Sequence, residues 1–212
     1  MKHIQATDML EQLEVLFPDA HCELNHRNAY EMAVAVILSA QTTDASVNSV
    51  TPDLFEKYPT VNDLAEGDLK TIEKCISRLG LYHNKAKAIR GFAEGVVENF
   101  NGSVPSTMEE LVTLPGVGRK CANVILSECY GIPSLAVDTH VSRIAKRLYL
   151  AYEKDSVDTI ERKLKGKIPE DRWIKAHHSM IFFGRYLCHS RNPECGRCPF
   201  TQFCRYYRNN KV

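Results

Sequence analysis

Four cysteines stand near the C-terminal end of the chain, Cys188, Cys195, Cys198 and Cys204, spaced C-x6-C-x2-C-x5-C within seventeen residues. Four thiolates this close in sequence are the ligand set of one metal centre, either tetrahedral zinc or an iron–sulfur cluster. A structural zinc site ordinarily shows two tight pairs separated by a longer loop. Only Cys195 and Cys198 form such a pair here, so the spacing favours one 4Fe–4S cluster, with zinc as the alternative. Disulfides are the weakest reading. No secretory signal is expected for the chain, and Cys22, Cys75, Cys121 and Cys129 are scattered without pairing logic.

A second constellation is the run Leu114-Pro115-Gly116-Val117-Gly118-Arg119-Lys120. A short helix is expected before it and a longer one after it. Gly116 and Gly118 make a tight turn whose backbone N–H groups can approach an anion closely, at a helix N-terminus whose dipole and free N–H groups favour phosphate. This is the logic of a helix–hairpin–helix, which grips a backbone phosphate without reading sequence. The plainer alternative is an αα-turn with glycine caps.

Lys120 falls in the first turn of the following helix, where a cation opposes the dipole. With partial burial its neutral amine would be favoured, and a neutral amine can form a Schiff base at a carbon of aldehyde oxidation level. A solvated surface lysine is the commonplace reading. Asp138, in Val137-Asp138-Thr139-His140, precedes another helix and would cap it. The same placement could aim its carboxylate at Lys120, to help deprotonate the amine and stabilise a developing oxocarbenium charge. The two roles are compatible.

The elements that must position these residues read as helices. Helical spacing marks Met1 to Leu16, Ala29 to Ser39, Leu69 to Arg78, Lys85 to Phe100, Met108 to Thr113, Lys120 to Tyr130, Thr139 to Leu150, Val157 to Lys165 and Arg172 to Leu187. Turn signals separate them, among them Tyr58-Pro59, Asn101-Gly102 and Gly131-Ile132-Pro133. No strand alternation is found, so the expectation is an all-α chain of about nine or ten helices. At 212 residues, 44% hydrophobic and 25% charged, the chain has the composition of a soluble globular protein able to bury one core or two small ones. The longest apolar run, Met32 to Ala40, is too short to span a bilayer, and no signal or transit peptide is evident, so a reduced cytoplasmic location is expected. Net charge is +1, which hides a split. Residues 1–138 carry 11 Lys and Arg against 19 Asp and Glu, a net of −8; residues 139–212 carry 16 against 7, a net of +9. The basic block suits a polyanion-facing surface or is simply a solvated cationic face.

Taken together, these motifs resemble endonuclease III, a family of bifunctional DNA glycosylase/AP lyases for oxidised pyrimidines. The likeness runs through Leu38-Ser39-Ala40-Gln41-Thr42-Thr43-Asp44, Gly80-Leu81-Tyr82-His83-Asn84-Lys85-Ala86, the hairpin run extended to Val124, Val137 to Arg143, and the four cysteines. It covers essentially the whole chain. The resemblance implies a two-lobed all-α fold: a six-helix barrel lobe at 22–132, and a cluster lobe made of 1–21 and 133–212, with the DNA groove and lesion pocket between them. It implies Lys120 as nucleophile and Asp138 as its acidic partner. Gln41 would fill the gap left by an extruded base and Leu81 would wedge into the opposite strand. Gly116, Gly118, His140, Arg143 and Arg191 complete the implied DNA contacts, Arg191 from the loop between Cys188 and Cys195. A helix-capping Gln41 and a core Leu81 are the plain readings.

The implied reaction bends the duplex and flips the damaged base, because its glycosidic carbon is unreachable in the stack. Lys120 attacks C1′ as the base leaves, and β-elimination through the Schiff base cuts the strand on the 3′ side. The implied partner is double-stranded DNA containing oxidised pyrimidines or abasic sites, met by a monomer associated with a bacterial nucleoid and not with a membrane. Two alternatives are a monofunctional adenine mismatch glycosylase and a non-catalytic helix–hairpin–helix module with a redox-sensing cluster. The first usually lacks a lysine at the position of Lys120; the joint presence of Lys120 and Asp138 argues against the second.

Overall fold

In the computed structural model, which describes residues 3–210, every regular element is helical. Thirteen α-helices are present among the described residues: α1 Ala6–Leu16, α2 Ala29–Leu38, α3 Asp44–Asn48, α4 Thr51–Lys57, α5 Val61–Ala65, α6 Leu69–Cys75, α7 Tyr82–Phe100, α8 Met108–Leu111, α9 Arg119–Tyr130, α10 Thr139–Arg147, α11 Val157–Lys165, α12 Trp173–Tyr186 and α13 Arg205–Asn210. The sequence expectation of about nine or ten falls short because α3, α4, α5 and α13 run for only 5 to 7 residues. Under two turns, a helix shows no periodicity to detect. For α3 and α5 the caps were the available signal. Thr43 caps α3, and Thr60 with Asp63 forms a reciprocal capping box on α5.

The chain divides into two compact units, Met1–Cys22 with Pro133–Val212, and Glu23–Ile132. In the continuous unit, α2 is the central helix. Nine of its ten residues are buried, and its N-cap Asn28 accepts from Glu31 N. Glu31, itself buried, accepts from Arg27 N and Nε at 2.7 Å, so its carboxylate is compensated. Helices α7 and α9 pack against α2, and α5 lies along α7.

In the discontinuous unit, α1 packs on α12. Met9, Leu10 and Leu13 are fully buried there, each contributing roughly 1.5–3 kcal/mol by removal from water. The Arg172–Glu14 pair at 2.9 Å ties the same two segments. The N-terminal helix thus packs within the unit that holds Pro133–Val212. Val141, Ile144 and Ala145 of α10, Ile160 and Leu164 of α11, Met180 and Phe183 of α12, and Phe200 share one core, which reaches Cys188 and Cys204. No described helix is long and apolar enough to cross a membrane.

Candidate functional site

Helix α8, capped by Thr107, leads into a hairpin that is pinned from below. Leu114 and Val117 are buried, while Gly116, Gly118, Arg119 and Lys120 are exposed. Leu114 and Pro115 seat over Gly91 and Gly95 of α7; a Cβ at Gly95 would stand 2.9 Å from Leu114 Cδ2. Gly116 has φ +77, and a Cβ there would meet Ala88 Cβ at 3.1 Å and Ile37 Cγ2 at 3.2 Å. The turn therefore needs glycine for its conformation and for its close approach to α2 and α7. Gly118 caps α9 in an extended conformation with no side-chain cap, and open space where its side chain would be. The first N–H groups of α9 are left for a ligand, as an anion site requires. Lys120, the second residue of α9, is exposed, so the partial burial envisaged from the sequence is absent.

Gln41 and Leu81 belong to the same unit. Both adopt the left-handed conformation, with φ 54 and φ 59, at a cost on the order of 1–3 kcal/mol each for a residue other than glycine. Both are exposed, Leu81 by 59%, so it is not the core residue of the plain reading. Gln41 follows the C-terminal end of α2 and Leu81 is the N-cap of α7. Gly116 packs on Ile37 of α2 and Ala88 of α7. The hairpin and the two strained residues are thus brought to one region by two helices. Between them, buried Lys85 of α7 donates from Nζ to Thr42 Oγ1.

In the discontinuous unit, Asp138 is the N-cap of α10, and its Oδ1 accepts from Val141 N at 2.8 Å. The run leading into it is fixed by buried His177, whose Nδ1 donates to Ala136 O at 2.9 Å. His140 is half-buried, and burial pushes its pKa below the usual imidazole value, with Asp138 opposing in part. Its Nδ1 lies 3.1 Å from Arg143 Nη2. Arg143 donates to Gly184 O at 2.9 Å and Cys188 O at 3.1 Å. Of the residues implied to touch DNA, this one spends several donors inside the protein.

Cys188, Cys195, Cys198 and Cys204 line one void with Leu187, Pro193, Tyr206 and Tyr207. None is in a disulfide. The four thiols surround this void, and among the described residues no group of three or more His, Cys, Asp or Glu is arranged for a single metal ion. Burial pushes the Cys198 thiol up to about 11; Phe200 N–H opposes this, and the neighbouring cysteines add to it. Four mutually repelling thiolates need cationic compensation, which a cluster's irons supply. The surroundings also offer donors: Arg147 Nη1 lies 3.1 Å from Cys188 Sγ and Phe200 N lies 3.4 Å from Cys198 Sγ. The donor set and the shared void fit an iron–sulfur cluster.

Arg147 was not singled out from the sequence. It donates to His189 O at 2.8 Å and Ser190 O at 3.1 Å, and lies 4.1 Å over the Tyr206 ring. Its spacing of four from Arg143 on one helix face was the signal available. Arg191, further along the loop, is exposed.

Hairpin, four-thiol loop and all-helical architecture together define the class of a base excision repair protein. A family model for the HhH-GPD superfamily base excision DNA repair proteins matches residues 34–170, and a model for the iron-sulfur binding domain of endonuclease III matches residues 188–204. The second spans the cysteine loop from first ligand to last. Endonuclease III of Bacillus subtilis is 47% identical, over 92% of this chain and 90% of its own length. The Escherichia coli K12 protein of that name is 37% identical over 97% of each chain. A trapped endonuclease III–DNA covalent intermediate superimposes with TM-score 0.94 at 45% identity, over 99% of this chain and 100% of that one. A thermostable thymine-DNA glycosylase shares the fold, with TM-score 0.87 at 21% identity over 96% of this chain and 97% of that one. The chain belongs to the endonuclease III family of the HhH-GPD superfamily.

Proposed function

We propose that the chain is a base excision repair DNA N-glycosylase that removes oxidised pyrimidines from duplex DNA and cuts the strand by AP lyase chemistry through Lys120. The observation that carries this reading is the lysine's position. It is the exposed second residue of α9, directly after a glycine turn whose uncapped N–H groups suit a phosphate. A DNA strand gripped by its backbone at the hairpin presents its sugar carbons within the neighbourhood of that amine. Attack of the neutral amine on C1′ breaks the bond to the base, which leaves with a proton; the amine loses a proton, and the C1′–O4′ bond of the resulting aminal then breaks, with a proton taken by O4′, to give the Schiff base. Loss of the C2′ proton finally expels the 3′ phosphate.

Asp138 is the acidic partner in this scheme. Its Oδ1 is engaged by Val141 N, which fixes the carboxylate so that it can take a proton and stabilise positive charge at the sugar. Gln41 and Leu81 enter the duplex where the lesion is extruded. Gly116 and Gly118 supply backbone contacts, and His140 and Arg191 contact phosphates. Arg143 acts by holding the cysteine loop and His140. The cluster, held by Cys188, Cys195, Cys198 and Cys204, supplies structural iron–thiolate bonds and no acid, base or nucleophile. The protein works as a monomer on double-stranded DNA containing oxidised pyrimidines or abasic sites, at the nucleoid in the cytoplasm.

The test is base release and strand cleavage on duplexes carrying thymine glycol, an oxidised cytosine, 8-oxoguanine or uracil. Release from the first two with coupled cleavage supports the reading. Release of adenine from mismatches without cleavage, or no release at all, overturns it.

A further inference from the structure

Gln41 and Leu81 hold the same strained backbone conformation on loops that are 40 residues apart, and one side chain joins those loops. Lys85 stands one turn into α7, its backbone N donating to Leu81 O at 3.0 Å. Its Nζ donates to Thr42 Oγ1. Thr42 in turn donates from Oγ1 to Ala40 O at 3.3 Å and from its backbone N to Ser39 O at 3.1 Å. These bonds close around Gln41 from both sides. One continuous path therefore runs from the start of Leu81's helix to the two peptides flanking Gln41.

Lys85 is an unusual residue to find in this place. It is 5% exposed, and among the described residues it forms no ion pair. An ammonium buried with a hydroxyl as its partner is unfavourable for folding, and burial pushes its pKa below the usual lysine value. A residue whose burial costs stability is expected where function requires it.

We propose that Lys85 is a positioning residue which, through Thr42, locks the Gln41 loop to the start of α7 so that Gln41 and Leu81 enter the duplex as one unit. The proposal rests on the reading of those two side chains as the inserting pair. Two strained loops free to relax separately would insert separately, and each would lose the geometry that holds the base out of the stack. Thr42 is part of the same device, because its hydroxyl both receives the ammonium and braces the peptide before Gln41.

The test uses the full-length protein and duplexes with 2-aminopurine beside a thymine glycol, so that fluorescence reports extrusion. Lys85→Met and Thr42→Val should each slow extrusion and single-turnover excision at saturating enzyme by roughly tenfold or more. The double variant should be no slower than either single one. Thr42→Ser, which keeps the hydroxyl, should stay within about twofold of the natural protein, as should the affinity of every variant for undamaged duplex. Lys85→Met should not lower the melting temperature, because it removes a buried charge. Additive losses in the double variant, natural rates in Lys85→Met and Thr42→Val, or a fall in melting temperature matched by falls in affinity and rate would each overturn the coupling. Gln41→Ala and Leu81→Ala serve as separate arms. If neither slows extrusion, the insertion reading falls and the coupling with it. If both do while the bridge variants do not, only the coupling falls.

Discussion

Asp138 caps α10, and in the proposed reaction the same carboxylate is also the acidic partner of Lys120; a single substitution separates the two roles. Asn caps helices as well as Asp, so Asp138→Asn keeps the bond to Val141 N. What it loses in stability is the charge–dipole interaction, about 0.3–1 kcal/mol. Loss of a proton acceptor beside the reacting sugar should cost excision on the order of 10²-fold or more. Urea unfolding and single-turnover excision on the same preparations check this; losses of similar size in free energy would make Asp138 a cap and nothing else. The cysteines give a second residue-level test. The protein should be brown and bind four irons per chain, as the family's 4Fe–4S centre requires. Cys75→Ser and Cys121→Ser should leave iron content unchanged, because neither lines the void, whereas Cys198→Ser should lower it. A colourless protein with one zinc would contradict the assignment.

Among the elements, the hairpin shows what a sequence discloses and what it withholds. Two glycines between a short and a long helix mark a tight turn, and the four-cysteine spacing marks the metal loop. Both are local patterns with a fixed register. The strain at Gln41 and Leu81 is invisible in the sequence, because neither residue type favours a left-handed backbone; the surrounding packing imposes it. The bridge from Lys85 to Thr42 and the clamp of Arg147 on His189 and Ser190 span 43 and 42 residues, beyond any periodicity. Helices α3, α4 and α5 escape for a different reason, being too short to repeat. Gly116→Ala tests the hairpin as an element. Positive φ and a 3.1 Å approach to Ala88 should together destabilise by roughly 1–3 kcal/mol, and α9's N–H groups should shift enough to weaken binding to undamaged and damaged duplex alike. Denaturant unfolding and a binding titration read both effects. A stable variant with natural affinity would mean that the turn has no such constraint.

For the whole molecule, not all of the 16 Lys and Arg residues in 139–212 are available to DNA. Arg205 pairs with Glu153 at 2.7 Å, Lys163 with Asp155 at 2.6 Å and Lys165 with Glu161 at 2.8 Å. Arg143 and Arg147 are committed to backbone carbonyls. Arg191 is exposed and makes no ion pair among the described residues. Arg191→Glu should therefore weaken binding to damaged and undamaged duplex about equally, and lower the slope of log affinity against log salt by about 0.9 for each phosphate no longer neutralised. Lesion preference should not move, since phosphate contacts position without reading. A changed lesion preference with an unchanged slope would place this loop in the recognition of the base.

The central claim concerns one amine, and covalent capture addresses it directly. Incubating the protein with an abasic-site duplex in borohydride reduces the Schiff base to a stable amine, and peptide mapping of the linked product identifies the residue. The adduct should map to Lys120. Lys120→Gln, which leaves the hairpin's backbone amides in place, should abolish capture and strand cleavage while keeping affinity for the duplex within about twofold. An adduct on another lysine, or a Lys120→Gln protein that is captured at the natural rate, would contradict the account.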